Sequence, residues 1–228
     1  MTLLDTARAL QFGDSALPIG AFSFSSGLEA AVEAGVVTDA ATLEEFVRTA
    51  RRQATTGDAI AVLAAHRAAR ADDMAGVVEA DEEVLLRKLN DEARAATLRM
   101  GRKLGELAAP LVDAPMVTKW LDAVGEGATP GTYPAAIGIV LAAAGADERD
   151  AFAVHQYGVS ATILGAALRI LRVDHHDTQA IAFRVNAAIG DEYAAASTAT
   201  LGDMSTYAPV TDVLAALHVH AHVRMFMS

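Results

Sequence analysis

The sequence predicts an all-α fold, a single bundle of roughly ten helices, on three observations. Apolar residues make up 53% of the 228 residues while aromatics contribute only 5%, so the apolar content is mostly Ala, Leu, Val and Ile, and the Ala bias favours helix. Helix start and stop signals recur along the whole length. No run alternates β-branched with polar residues, and there is neither an Asn-Gly hairpin turn nor a βαβ rhythm.

The elements follow in order. Ser26-Gly27-Leu28-Glu29 reads as an S-x-x-E capping box that opens a short helix with Leu28, Ala31 and Val32 on one face and a stop at Gly35. Thr42-Leu43-Glu44-Glu45 reads as a second capping box. Leu43, Phe46, Val47 and Ala50 then form the i, i+3, i+4, i+7 stripe, and Arg48, Arg51 and Arg52 are expected to face elsewhere. Further helices are expected from Asp58 to Arg70, Ala75 to Leu89, and Asp91 to Leu107 before Pro110. Others are expected over Pro115 to Val124, Tyr133 to Ala144, Ala151 to Leu171, Thr178 to Ile189 and Pro209 to Val223, with turns at Gly125-Glu126-Gly127, Gly145 and Gly190. No Gly, Ser or Pro linker separates two compositional halves and no fixed period recurs, so residues 1–228 are expected to form one domain. The acidic cluster of Asp72-Asp73 and Asp81-Glu82-Glu83 is expected to be a solvated face.

Composition excludes several function classes. There is no cysteine, hence no disulfide, thiolate metal site or cysteine nucleophile, and a reducing, cytoplasmic setting is the expectation. The N-terminus lacks the basic start and apolar run of a signal peptide. With 18 Lys plus Arg against 29 Asp plus Glu the net charge is −11, which repels phosphate backbones and anionic membrane surfaces. The uncharged stretch Gly127 to Ala146 is broken by Pro130, Gly131 and Pro134. Ala151 to Leu168 carries His155, Gln156, Tyr157, Ser160 and Thr162, groups that a protein interior satisfies and lipid does not. Helices apolar on nearly all sides belong at the centre of a bundle.

Catalytic templates fail. Gly20 to Gly27 has the wrong spacing for a phosphate loop and Leu28 where lysine is needed. Ser23-Phe24-Ser25-Ser26-Gly27 lacks the first glycine of a nucleophile elbow. Asp81 and Glu82 sit in a hydrophilic run with nothing to split their pKa values. Of seven histidines, His218, His220 and His222 form H-x-H-x-H, and on a helix His218 and His222 share a face suited to one divalent ion. Asp174-His175-His176-Asp177 reads as a polar turn. In the N-terminal segment Pro18 fixes φ, Gly20 permits a tight bend, and Phe22 and Leu28 are expected in the core. Met225 and Phe226, at the end of the sequence, have little reason for exposure unless a partner surface or the chain itself covers them.

The residues from Asp14 to Glu29 carry Ser15, Leu17, Pro18, Ile19, Gly20, Phe22, Ser25, Gly27, Leu28 and Glu29 in the order S-x-L-P-I-G-x-F-x-x-S-x-G-L-E. This resembles the signature of the urease accessory protein UreF family. Arg224-Met225-Phe226-Met227-Ser228 is similar to that family's closing R-L-F-x-S, with Pro209, Asp212 and His218 upstream. Arg99 to Gly105, Tyr133-Pro134 with Gly138, and Arg169 with Gln179 also match, more loosely. The sequence departs from the family at Val219, where glutamate is usual, and at Phe24, where Tyr or His is usual. The resemblance implies an all-helical, dimeric, non-enzymatic protein without a cofactor of its own. It would bind the UreD/UreH scaffold and through it the UreG GTPase, so that nickel, the cargo, reaches apo-urease. It also implies a partner-binding tail at about 209–228, with Arg224, Met225, Phe226, Ser228, Asp212 and His218 as contacts and Arg99 and Arg102 as further contributors. The rival reading is a metallochaperone carrying nickel itself on His218, His220 and His222, which would lose stoichiometric Ni²⁺ binding on truncation before His218.

Overall fold

The computed structural model describes residues 2–205 together with Val213, Met225 and Phe226. Among these residues there are eleven α-helices, two short 3₁₀ turns and no strand, as the sequence predicts. The helices are α1 (Leu3–Gly13), α2 (Leu28–Glu33), α3 (Ala40–Thr56), α4 (Asp58–Arg70), α5 (Met74–Leu86) and α6 (Asp91–Ala108). They continue with α7 (Pro115–Gly125), α8 (Tyr133–Ala143), α9 (Glu148–Ile170), α10 (His175–Asn186) and α11 (Ile189–Ser197). Except for the Pro209 to Val223 helix, which falls outside the described residues apart from Val213, the expected elements are present.

Two helices were not anticipated. α1 opens with a capping box in which the Thr2 hydroxyl accepts from the Asp5 N–H at 3.2 Å and the Asp5 carboxylate from the Thr2 N–H at 2.7 Å. α11 contains Gly190, so the expected turn there is wrong; the bend lies at Ala187 and Ala188. Two caps are also corrected. Asp39, not Thr42, caps α3, and Thr42 is its reciprocal partner one turn in. Ser26 does not cap α2: Ser26 and Gly27 both take left-handed backbone, so the Ser25 hydroxyl accepts from the Glu29 N–H at 3.3 Å instead. Asp174-His175-His176-Asp177 is the capped start of α10.

The centre is the α4–α8 pair. Every residue of α8 from Pro134 to Ala142 is buried, as an all-round apolar helix requires. Gly138 lets the two helices touch, since a Cβ there would lie 2.5 Å from the Val62 carbonyl oxygen. Residues of α1, α4, α5, α6, α7 and α8 form the largest core cluster around Trp120, Ile137 and Leu141. A second cluster joins α2, α3, α9 and α10 through Leu28, Leu43, Ile163 and Ile181, and it includes Phe226. Among the described helices α9 is long and apolar enough to cross a membrane by length and composition, and half of its apolar window is buried inside the fold.

Two charges expected at the surface are in the interior. Arg51 follows Leu43 and Val47 at four-residue steps and is buried. Its guanidinium pairs with Glu192 and donates to Asn186 Oδ1 at 2.8 Å and Ser160 Oγ at 3.2 Å. Asp81 is wholly buried and far from a solvated face. One of its oxygens accepts from Trp120 Nε1 at 3.0 Å, Thr129 Oγ1 at 2.8 Å and the Gly131 N–H at 2.9 Å, and the other from the Thr132 N–H at 2.7 Å. Four donors replace the water that the carboxylate gives up, and together they fix the loop that leads into α8.

Candidate partner-binding site

The N-terminal signature lies between α1 and α2. Leu17 is half-buried and Ile19 buried against the largest core cluster, whereas Pro18 is exposed. Gly20 takes φ +88°, a left-handed geometry open to glycine at little cost, and the chain turns there into a 3₁₀ turn over Ala21–Ser23. In a three-residue turn Ala21 and Phe24 share a face and Phe22 does not. Phe24 is accordingly buried beneath the Arg99 guanidinium, 5.0 Å from the ring centroid, and Phe22 is 72% exposed. The expectation that Phe22 enters the core is corrected on this ground. Phe24 occupies the inward position.

Met225 and Phe226 come to this same place. The two oxygens of Glu29 accept the consecutive N–H groups of Met225, at 2.7 Å, and Phe226, at 2.9 Å. The Phe226 ring is 4% exposed, and the Arg169 guanidinium lies 4.0 Å from its centroid. Arg169 also donates to the Phe22 carbonyl oxygen at 2.8 Å. Of the closing pair, the chain itself covers Phe226, and Met225 remains 61% exposed. The signature and the Met225–Phe226 pair, nearly 200 residues apart, thus meet, and Arg99 of α6 packs on Phe24 of the same signature.

Beside that surface is a cavity of about 320 Å³, lined mainly by apolar residues that include Phe12, Leu17, Ile19 and Ile163. Its polar lining includes Asp58, Lys88, Tyr133 and His155, a grouping that no sequence spacing reveals. Lys88 Nζ donates to both Asp58 oxygens, at 2.6 and 2.8 Å. Burial acts to raise the Asp58 pKa, but the Lys88 charge, the neighbouring His155 and the Lys88 hydrogen bonds together outweigh it and hold the carboxyl below its usual range. Burial pushes His155 down to about 4 and Tyr133 up to about 12. All three shifts move away from neutral pH.

The remaining predicted residues are dispersed. Arg102 is exposed on α6 and paired with Glu106 at 3.1 Å. Ser25 and Gly27 are buried and shape the start of α2. Arg224, Ser228, Asp212, His218, His220 and His222 lie outside the described residues. Among the described residues no group of three His, Cys, Asp or Glu side chains is arranged to hold a metal ion. Sequence reasoning missed the tail-holding roles of Glu29 and Arg169; the only signal was their match to the family pattern.

The UreF family model matches residues 37–186. The urease accessory protein UreF 2 of Brucella canis is 52% identical over 219 residues, covering 96% of this chain and 90% of the relative. UreF 1 of Brucella melitensis is likewise 52% identical over 219 residues, with 96% and 91% covered. UreF of Yersinia pseudotuberculosis is 48% identical over 226 residues, 99% of both chains. A match of this length, reaching the signature and the closing motif alike, goes beyond shared helical composition, and the chain belongs to the UreF family of urease accessory proteins.

Proposed function

We propose that this chain is a cytoplasmic, homodimeric adaptor of urease maturation that makes and breaks no bonds. It binds the UreD/UreH scaffold and through it recruits the UreG GTPase, so that nickel reaches apo-urease. It carries no cofactor and engages neither nucleic acid nor membrane, in keeping with its charge of −11. The observation that supports the reading best is the meeting of the two family motifs on one surface, where Phe22 and Met225 stay exposed although both are large and apolar. Apolar side chains grouped this way suit a protein interface, and arginines beside them supply planar contacts to carboxylates or carbonyls.

Arg224 directly precedes the anchored pair in sequence. Arg224→Ala is expected to leave the circular dichroism and melting temperature unchanged and to lower several-fold the GTPase retained when the tagged chain is co-purified with scaffold and GTPase. Retention equal to that of the parent chain counts against the adaptor reading.

A further inference from the structure

We infer that Glu29 and Arg169 are positioning residues, a clasp that sets the C-terminal pair so that Met225 is displayed beside Phe22 for the recruited partner. The inference rests on the adaptor reading and assigns to it two residues that touch the tail.

The geometry carries the argument. A carboxylate that accepts two consecutive backbone N–H groups fixes the direction of the main chain as well as its place, because both oxygens are used and neither contact depends on the tail's side chains. Glu29 is itself buried, so water competes poorly for those contacts. Arg169 adds a second hold of different chemistry. Its guanidinium lies over the Phe226 ring and donates to the Phe22 carbonyl, tying the tail to the signature turn through one planar group. The result is a division between neighbours: Phe226 points into the cluster with Leu28 and Ile163, and Met225 faces outward. Glu29 is needed at the second position of α2 for a reason unrelated to helix capping, which explains why its carboxylate does not turn back to Ser26. A segment held at three points carries into an encounter the order that an unheld one would acquire only on binding, and affinity rises accordingly.

The test uses the full chain, tagged and co-expressed with the UreD scaffold and UreG GTPase of one host. Glu29→Gln, Arg169→Ala and a chain ending at Arg224 are compared, singly and combined. Both substitutions are expected to speed amide exchange at Met225 and Phe226 by about tenfold with α4 and α8 unchanged. They are also expected to lower GTPase retention several-fold, and to lower it no further in the shortened chain. That non-additivity is the signature of action through the tail, which a merely structural role would not produce. If exchange at the tail rises while retention holds and the shortened chain loses the GTPase, the clasp is overturned and the adaptor reading stands. If the substitutions depress retention equally in the shortened chain, they act through the fold and the inference fails. Full retention by the shortened chain overturns the clasp together with the tail's role in the adaptor.

Discussion

Asp81 on α5 and Glu29 on α2 both hold a distant stretch of main chain by accepting its N–H groups, yet one gathers four donors around an interior loop and the other holds only the Met225–Phe226 pair. Asp81 draws four donors from α7 and the loop before α8, 39 to 51 residues away in sequence. That loop is continuous with helices on both sides, so losing its anchor disturbs the packing of α8 at the centre. Glu29 holds two consecutive N–H groups 196 and 197 positions away, half the number of donors that Asp81 gathers. The same chemistry therefore serves global stability in the first place and local order in the second.

The largest expected effect is that of Asp81→Ala. It leaves the Trp120, Thr129, Gly131 and Thr132 donors buried and unpaired and is expected to destabilise by roughly 4 kcal/mol or more, read as a lower midpoint in urea. A loss under about 1 kcal/mol would show that the loop is held by packing alone and would erase the contrast with Glu29.

Acid gives an intermediate effect on the interior. His155 has its folded pKa lowered from 6.5 to about 4 by burial, with Asp58 opposing and Lys88 and Arg51 reinforcing. The unfolded chain therefore binds a proton that the folded chain refuses as pH falls from 6.5 to 4. The stabilisation is complete above 6.5 and is lost across that window, by about 3 kcal/mol at most. His66, also lowered chiefly by burial, acts with the same sign. Stability of His155→Gln measured at several pH values is expected to fall less steeply over this range; an unchanged slope would mean that His155 is not held neutral.

The smallest expected effect is the global one of Glu29→Ala, about 2 kcal/mol or less, because two N–H groups lose their acceptor where Asp81→Ala strands four donors. A loss as large as that of Asp81→Ala would place the tail within the cooperative core and dissolve the distinction.

Much of the fold was legible locally. Asp58, Asp91, Pro115 and Tyr133 each open their helix at the residue the sequence indicates, because start signals act within one turn of chain. Arg51 and Asp81 were misread although each stands four residues beyond a buried valine, Val47 and Val77, on the same helix face. The stripe was visible; the charge concealed it. Phe22 lies outside the core, against expectation, for want of a signal that a 3₁₀ turn follows Gly20.

By itself, then, the sequence determined the helical class, most helix starts, the apolar centre at α8 and, through two end motifs, the family. Those follow from composition, from caps and periodicity within a few residues, and from residue order. Tertiary structure alone decided which charges are buried and that Glu29 and Arg169 receive the C-terminal pair. A buried charge is tolerable only where donors from remote segments converge on it, and no local pattern records which segments meet.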